Sequence, residues 1–290
     1  METDRYYRHS GRFSPSAVAL ALAAGLLAAV PMAFVYSYGI VYIPIVGMVS
    51  FLLTAGFAAI VGFATGWVLR KGKVRNHGAT LAAALPVALF ALWAAWVTWV
   101  YATLHRADAE VGLLDLVVQP TGLWNVITII NEKGAWSLKG LTPTGGLLWG
   151  LWALEAGLIV GMVVWVAREC VNLPFCEPCD RWCDKPQVVA TLGPTSKDAL
   201  APRLEKGDYA VLGELPAATA LAYTRLDLHQ CAQCQATTTL TATSVTVTGK
   251  KGKQEKKEKT LVKYLLVPPG ELSAMRSVLA ESGLRAGAAA

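Results

Sequence analysis

The sequence predicts an α-helical transmembrane bundle of four spans followed by a small α+β, β-rich domain. Three observations carry that prediction. Of the 290 residues, 54% are hydrophobic and only 16% charged, and the mean hydropathy of +0.43 lies above the range of ordinary soluble domains. Residues 13–69 contain no Asp, Glu, Lys or Arg, an uncharged run of 57 residues. After Arg168 charge, Pro and Thr return, and five of the six cysteines fall into two groups. The organisation that follows is a tail at 1–15, a spanning domain at 16–167 with a loop at 104–144, and a cysteine-rich domain at 168–290.

The uncharged run is too long for one crossing and suits two of about 20 residues each. A helical hairpin results, with arms at about 16–36 and 47–69 and a link carrying Tyr36, Tyr38, Tyr42 and Pro44, residues of an interface and a turn. A third span is expected at about 79–103 and a fourth at about 145–167, the latter interrupted by Glu155. Small residues recur at every fourth position: Ala17, Ala21, Gly25 and Ala29, then Ala58, Gly62 and Gly66, then the pairs Gly146 with Gly150 and Gly157 with Gly161. Such rows let helix backbones approach where lipid offers no hydrophobic drive for association. Packing within one bundle is expected, with homo-oligomerisation as the alternative use.

Trp93, Trp96, Trp99, Trp149 and Trp152 gather toward the ends of spans three and four that adjoin the loop, as an interfacial belt does, with Trp93 and Trp96 deep enough to pack helices. Within the loop, LWNVITIINEKG places Leu123, Trp124, Val126, Ile127 and Ile130 on an apolar face, and Gly134 can end the helix. An interfacial helix is expected there.

Orientation follows from basic residues in the short connections, which are retained in the cytoplasm. Arg5, Arg8 and Arg12 precede span one, and Arg70, Lys71, Lys73 and Arg75 join spans two and three. The segment between spans three and four balances Arg106, Lys133 and Lys139 against Asp108, Glu110, Asp115 and Glu132. Both termini are therefore expected in the cytoplasm, in a multi-pass protein of a cell (inner) membrane. The competing reading, a cleaved signal peptide at 1 to about 30, leaves the cysteines on the same side.

Glu155 is the only formally charged residue in the four spans. An intramembrane acid costs of order 3 kcal/mol on insertion scales, so it faces the bundle interior with a role or a partner. One reading is proton or cation coupling. The other is a neutral carboxyl hydrogen-bonded to Thr54, Thr65, Thr98 or an indole N–H.

In the second half, Cys176 and Cys179 form one C-x-x-C and Cys231 and Cys234 another, while Cys183 lies four residues past the first pair. Two such pairs deliver four thiolates to a tetrahedral ion, and cytoplasmic thiols stay reduced, which favours metal over disulfide. TALAYTRLDLH (219–229), the Thr-rich 236–248 and TLVKYLLV (260–267) read as three strands of a meander. With CEPC and CAQC as its motifs, this region resembles a zinc ribbon over residues 176–183 and 219–267. The resemblance implies a structural zinc ion held by Cys176, Cys179, Cys231 and Cys234, with Cys183 and His229 as spare candidates.

Two features depart from the ribbon pattern. Asp180 and Gln235 stand where ribbon knuckles usually place Gly, and 51 residues separate Cys179 from Cys231. The insert, roughly 184–218, is expected to form a strand at QVVATL and a short helix capped by Ser196. Reduced cysteines without metal, and iron or thiol redox chemistry, are the alternatives to zinc. A closed four-thiolate site leaves no position for substrate, so its role is structural, and its binding energy would help fold a domain with little apolar core. Cys170 reads as a buried thiol or an acylation site.

GKKGKQEKKEK (249–259) sets Lys250, Lys251, Lys253, Lys256, Lys257 and Lys259 against Glu255 and Glu258. It reads as a solvated hairpin tip or a contact with anionic lipid headgroups; nucleic acid ranks last, since no aromatic residue interleaves the lysines. A short helix is expected from near Pro269 to Gly283, with 286–290 frayed.

No nucleophile motif, Gly-rich phosphate loop or cluster of acids with histidine is present, so catalysis is not the leading expectation. The expected function is a membrane scaffold or adaptor that presents the zinc-stabilised domain to a protein partner or to the membrane surface. A small transporter or channel using Glu155 is the alternative, and a membrane thiol or electron-transfer protein is the second. The long loop, the RKGKVRN link and the single acid of span four also resemble features of bacterial multi-pass membrane proteins, a likeness that carries no function.

Overall fold

The computed structural model describes residues 5–43, 48–137, 142–250 and 253–281, and the chain divides into two units, Ser10–Asn172 and Leu173–Ala290 together with Met1–His9.

The first unit is helical: α1 Pro15–Tyr42, α2 Met48–Lys71, α3 His77–Arg106, α4 Leu113–Val118, α5 Pro120–Lys133 and α6 Gly145–Val171. Of these, α1, α2, α3 and α6 are long and apolar enough to cross a membrane. Helix α1 packs on α2 and α3, and α6 packs on α2 and α3. The contact stripe of α1 is Ala17, Ala21, Gly25, Ala29, Ala33, Ser37 and Val41, the expected four-residue row carried three steps further. A Cβ at Gly25 would lie 2.4 Å from Thr65 Oγ1 and 2.7 Å from the Val87 methyls, so only glycine lets α1 approach α2 and α3 there. Gly62 and Gly66 serve the same purpose against α6, at Val163 and Ala167.

Two expectations need correction here. Tyr36, Tyr38 and Tyr42 belong to α1 rather than to a link, because the small-residue contact with α3 continues through Ser37, whose hydroxyl lies 2.7 Å from that of Thr98. Pro44 lies outside the described residues. The glycines of α6 do not pack within the bundle: a Cβ at Gly146, Gly150, Gly157 or Gly161 would meet nothing within 4 Å.

The connections are ordered by caps. Asn76 Oδ1 accepts from Ala79 N–H at 2.9 Å at the start of α3, while its amide donates to the Gly11 carbonyl and Arg75 N–H donates to the Arg12 carbonyl. Gly134 ends α5 with φ +87°, its N–H donating to Ile130. The buried face of α5 is Leu123, Ile127 and Asn131; Leu123 and Ile127 join Val97, Val100, Leu148 and Trp152 of α3 and α6, while Trp124 remains exposed and stacks on Trp149.

The second unit is built on a four-stranded antiparallel sheet in the order β3-β4-β5-β6, with a separate hairpin of β1 and β2. The strands are β1 Phe175–Cys176, β2 Arg181–Trp182, β3 Pro186–Leu192, β4 Ala222–Gln230, β5 Thr238–Lys250 and β6 Lys253–Leu266. Helices α7 Lys197–Glu205, α8 Val211–Glu214 and α9 Pro269–Glu281 complete it. Ser196 caps α7 by accepting from Ala199 N–H. The insert thus supplies a fourth strand beyond the expected meander, because QVVATL pairs with β4.

Leu226 and Leu228 of β4, with Leu240 and Leu265, face Leu200, Leu204, Leu212 and Met275 of the helices in one buried cluster. The domain therefore has a core of its own, contrary to the expectation of little apolar core. The lysine run lies at the distal end of the β5–β6 hairpin, as expected of a solvated hairpin tip: Lys253–Lys259 is part of β6, paired with β5 from Lys250 to Ser244, in a two-stranded arm whose residues 255–260 are exposed. Alternating Thr and Val opposite the charged residues gives β5 enough strand propensity to template the pairing. Lys251, Gly283 and residues 286–290 lie outside the described residues.

One element has no counterpart in the sequence reading. Residues 5–7 add to the free edge of β6: Tyr7 N–H donates to the Tyr264 carbonyl and Leu266 N–H to the Arg5 carbonyl, at 2.9 and 2.7 Å. Arg5 pairs with Glu271 of α9, and Tyr6 hydroxyl donates to Glu205 of α7.

Candidate functional site

The two C-x-x-C segments are turns held by the ends of strands. The first is the β1–β2 hairpin, in which Phe175 pairs with Trp182 and Cys176 with Arg181, and Cys183 N–H closes the loop on the Pro174 carbonyl at 2.8 Å. The second follows β4, where Cys231 N–H donates to Thr237 and Gln235 N–H to Cys231. Both turns need a left-handed residue just past the second cysteine, and Asp180 at φ 49° and Gln235 at φ 56° occupy those places. The departure from glycine is therefore one of residue type and not of backbone. Each costs about 1–2 kcal/mol relative to glycine's freedom there.

These turns bring Cys176, Cys179, Cys231 and Cys234 together, with all four sulfurs within 4.8 Å of one another and Cys176 and Cys234 sulfurs 3.4 Å apart. Around a tetrahedral ion with bonds of about 2.3 Å, sulfurs sit about 3.8 Å apart, so the spacing brackets what a metal requires. All six cysteines are free thiols, not disulfides. Cys176 and Cys231 are buried, Cys179 is half-buried and Cys234 is exposed, which leaves an entry path from the surface.

The electrostatics are those of crowded sulfur. Burial raises the Cys176 thiol, and its hydrogen bond with the Cys234 sulfur pushes Cys179 up to about 12. For Cys231, burial acts upward too, but the N–H groups of Cys234 and Gln233 outweigh it and bring the thiol down to about 6. Protons thus compete for two of the positions that a divalent cation would take, those of Cys176 and Cys179, and a bound cation reverses that balance by supplying the charge.

The other predicted residues lie beside the cluster. Cys183 is buried against it, with burial pushing its thiol up to about 12, but is not one of the four. His229 directs Nδ1 to the Cys183 carbonyl at 3.1 Å and packs edge-on against Tyr264, so it braces the turn. Cys170 is on α6, outside the cluster. Sequence reasoning missed Tyr7, whose hydroxyl accepts from Phe175 N–H at 3.0 Å and so ties the N-terminal strand to the first turn. Only its β-prone Tyr-Tyr context could have hinted at this.

Glu155 lines a cavity of about 580 Å³ at one end of the helical unit, together with Tyr36, Trp96, Trp99, Trp152 and Arg106. The hydroxyls proposed as its partners are occupied elsewhere: Thr54 donates to the Ser50 carbonyl, Thr65 to Val61 and Thr98 to Ala94. Among the described residues no hydrogen bond or ion pair reaches the Glu155 carboxyl.

In comparisons with known proteins, no family model matches the chain, and neither a curated protein nor a solved structure does.

Proposed function

We propose that the chain is an integral membrane scaffold: a four-span anchor that holds a zinc-stabilised, ribbon-like domain at the cytoplasmic face of a cell membrane, for contact with a protein partner or the membrane surface. The closed set of four sulfurs carries this reading. A fully coordinated ion offers no site to substrate, and cysteines that remain thiols at 3.4 Å suit a reducing compartment. The basic arm, exposed at residues 255–259, is the contact surface we assign, since anionic headgroups attract such segments by about 1 kcal/mol per residue. Pairing of residues 5–7 with β6 supports an even number of crossings, because it requires the N-terminal segment and the C-terminal domain to share a compartment.

A photo-crosslinking residue in place of Lys257 tests this in cells. A discrete protein or phospholipid adduct that is lost when Cys231→Ser is added supports the scaffold. An absent adduct, or one indifferent to Cys231→Ser, contradicts it. The side of the membrane is read separately with Lys257→Cys and an impermeant maleimide: labelling only after permeabilisation is expected.

A further inference from the structure

The helical unit contains a second site of a different chemistry. We infer that the cavity beside Glu155 binds a small organic cation, an ammonium with apolar substituents, held by the carboxylate and by the faces of surrounding aromatic rings. This stands apart from the scaffold reading and requires no metal in the cysteine cluster.

Four observations lead to it. First, the volume of about 580 Å³ is that of a small-molecule site. Second, Glu155 lines it with no hydrogen-bond or ion-pair partner among the described residues, and the hydroxyls of Thr54, Thr65 and Thr98 donate to carbonyls of their own helices. A carboxyl left without a partner in an apolar wall is costly, and a bound cation removes that cost.

Third, Trp96, Trp99 and Trp152 are fixed edge-to-face, with ring centroids 5.1 Å apart for Trp96 and Trp152, 5.7 Å for Trp99 and Trp152 and 5.5 Å for Trp96 and Trp99. Tyr36 adds a fourth ring to the lining and is itself held by stacking on Phe57. Indoles that share a cavity with a carboxylate suit the recognition of quaternary and alkylated ammonium groups, because ring faces attract positive charge without hydrating it.

Fourth, the cavity's other charged group is engaged: Arg106 donates to the Val41 carbonyl at the far end of α3. Trp96 and Trp152 lie at one level, so helix rise separates the backbones of Arg106 and Glu155 by on the order of 20 Å along the axis, and among the described residues no ion pair joins the two side chains. A bare alkali or alkaline-earth ion is disfavoured, since it needs about six oxygen ligands and most of this wall is aromatic or aliphatic.

The test uses the full chain in a nonionic maltoside detergent and reads its tryptophan fluorescence. Benzyltrimethylammonium is titrated against two controls of similar size, neutral neopentylbenzene and anionic benzenesulfonate. Saturable quenching by the cation, with either control about tenfold weaker or worse, is expected. Glu155→Gln, of equal size, should weaken the cation by about tenfold or more, and Glu155→Asp should keep most of the binding. No saturable quenching, equal binding of the neutral isostere, or an unchanged affinity in a folded Glu155→Gln protein would overturn the inference. If Glu155→Gln does not fold, the three probes on the wild-type chain decide it alone.

Discussion

The two units bury opposite kinds of side chain. In the helical unit, Ala21, Ala29, Ala33, Ala83 and Ala88 are fully buried while Leu20, Leu27, Leu52 and Leu154 are more than half exposed. In the C-terminal unit the arrangement is reversed, with Leu200, Leu204, Leu226, Leu228 and Leu240 inside and lysines and glutamates outside. One chain thus builds two kinds of interior. Where water is the solvent, burying a leucine contributes about 1.5–3 kcal/mol and large residues form the core. The four long helices are apolar enough to cross a membrane, and in lipid a leucine would gain nothing by leaving it, so that close backbone approach through alanine and glycine would remain.

That contrast is broken or sharpened by substitution. The largest effect is expected for Leu226→Ala, a cavity in the C-terminal core, which should cost about 2–5 kcal/mol in denaturant unfolding and leave the helical unit unchanged. Gly25→Leu comes next: its side chain enters the space of Thr65 and Val87, and overpacking should cost about 1–3 kcal/mol, seen as early aggregation of the purified protein on heating in detergent.

Gln235→Gly should act in the other direction. It relieves the left-handed strain of the second turn and should stabilise the C-terminal unit by about 1 kcal/mol in the same denaturant experiment. Gly157→Leu should be silent within about 0.5 kcal/mol, because its Cβ meets nothing; a shift in apparent mass on gel filtration would instead reveal a partner on α6.

Much of this was legible in the sequence where the signal is local. Helix α3 follows from its apolar run, α7 from the Ser196 cap, and the end of α5 from Gly134. The four sulfurs were legible because C-x-x-C is a geometric statement about one turn. What escaped depends on partners distant in sequence. Strand addition by residues 5–7 works through backbone hydrogen bonds that leave almost no side-chain pattern, and the lysine arm is a strand because β5 templates it. The glycine pairs of α6 looked like Gly62 and Gly66 of α2, yet among the described residues only the latter two face a neighbour. A cavity is space left between helices, so no single segment records that Glu155 opens onto one.

The central claim is that four thiolates from two distant turns share one ion, and metal analysis of the full chain purified under reducing conditions tests it most directly. About one zinc per chain is expected, falling below about a tenth with either Cys176→Ser or Cys231→Ser. A protein that takes up no zinc when supplied with it, or keeps a full equivalent in both variants, would contradict the account.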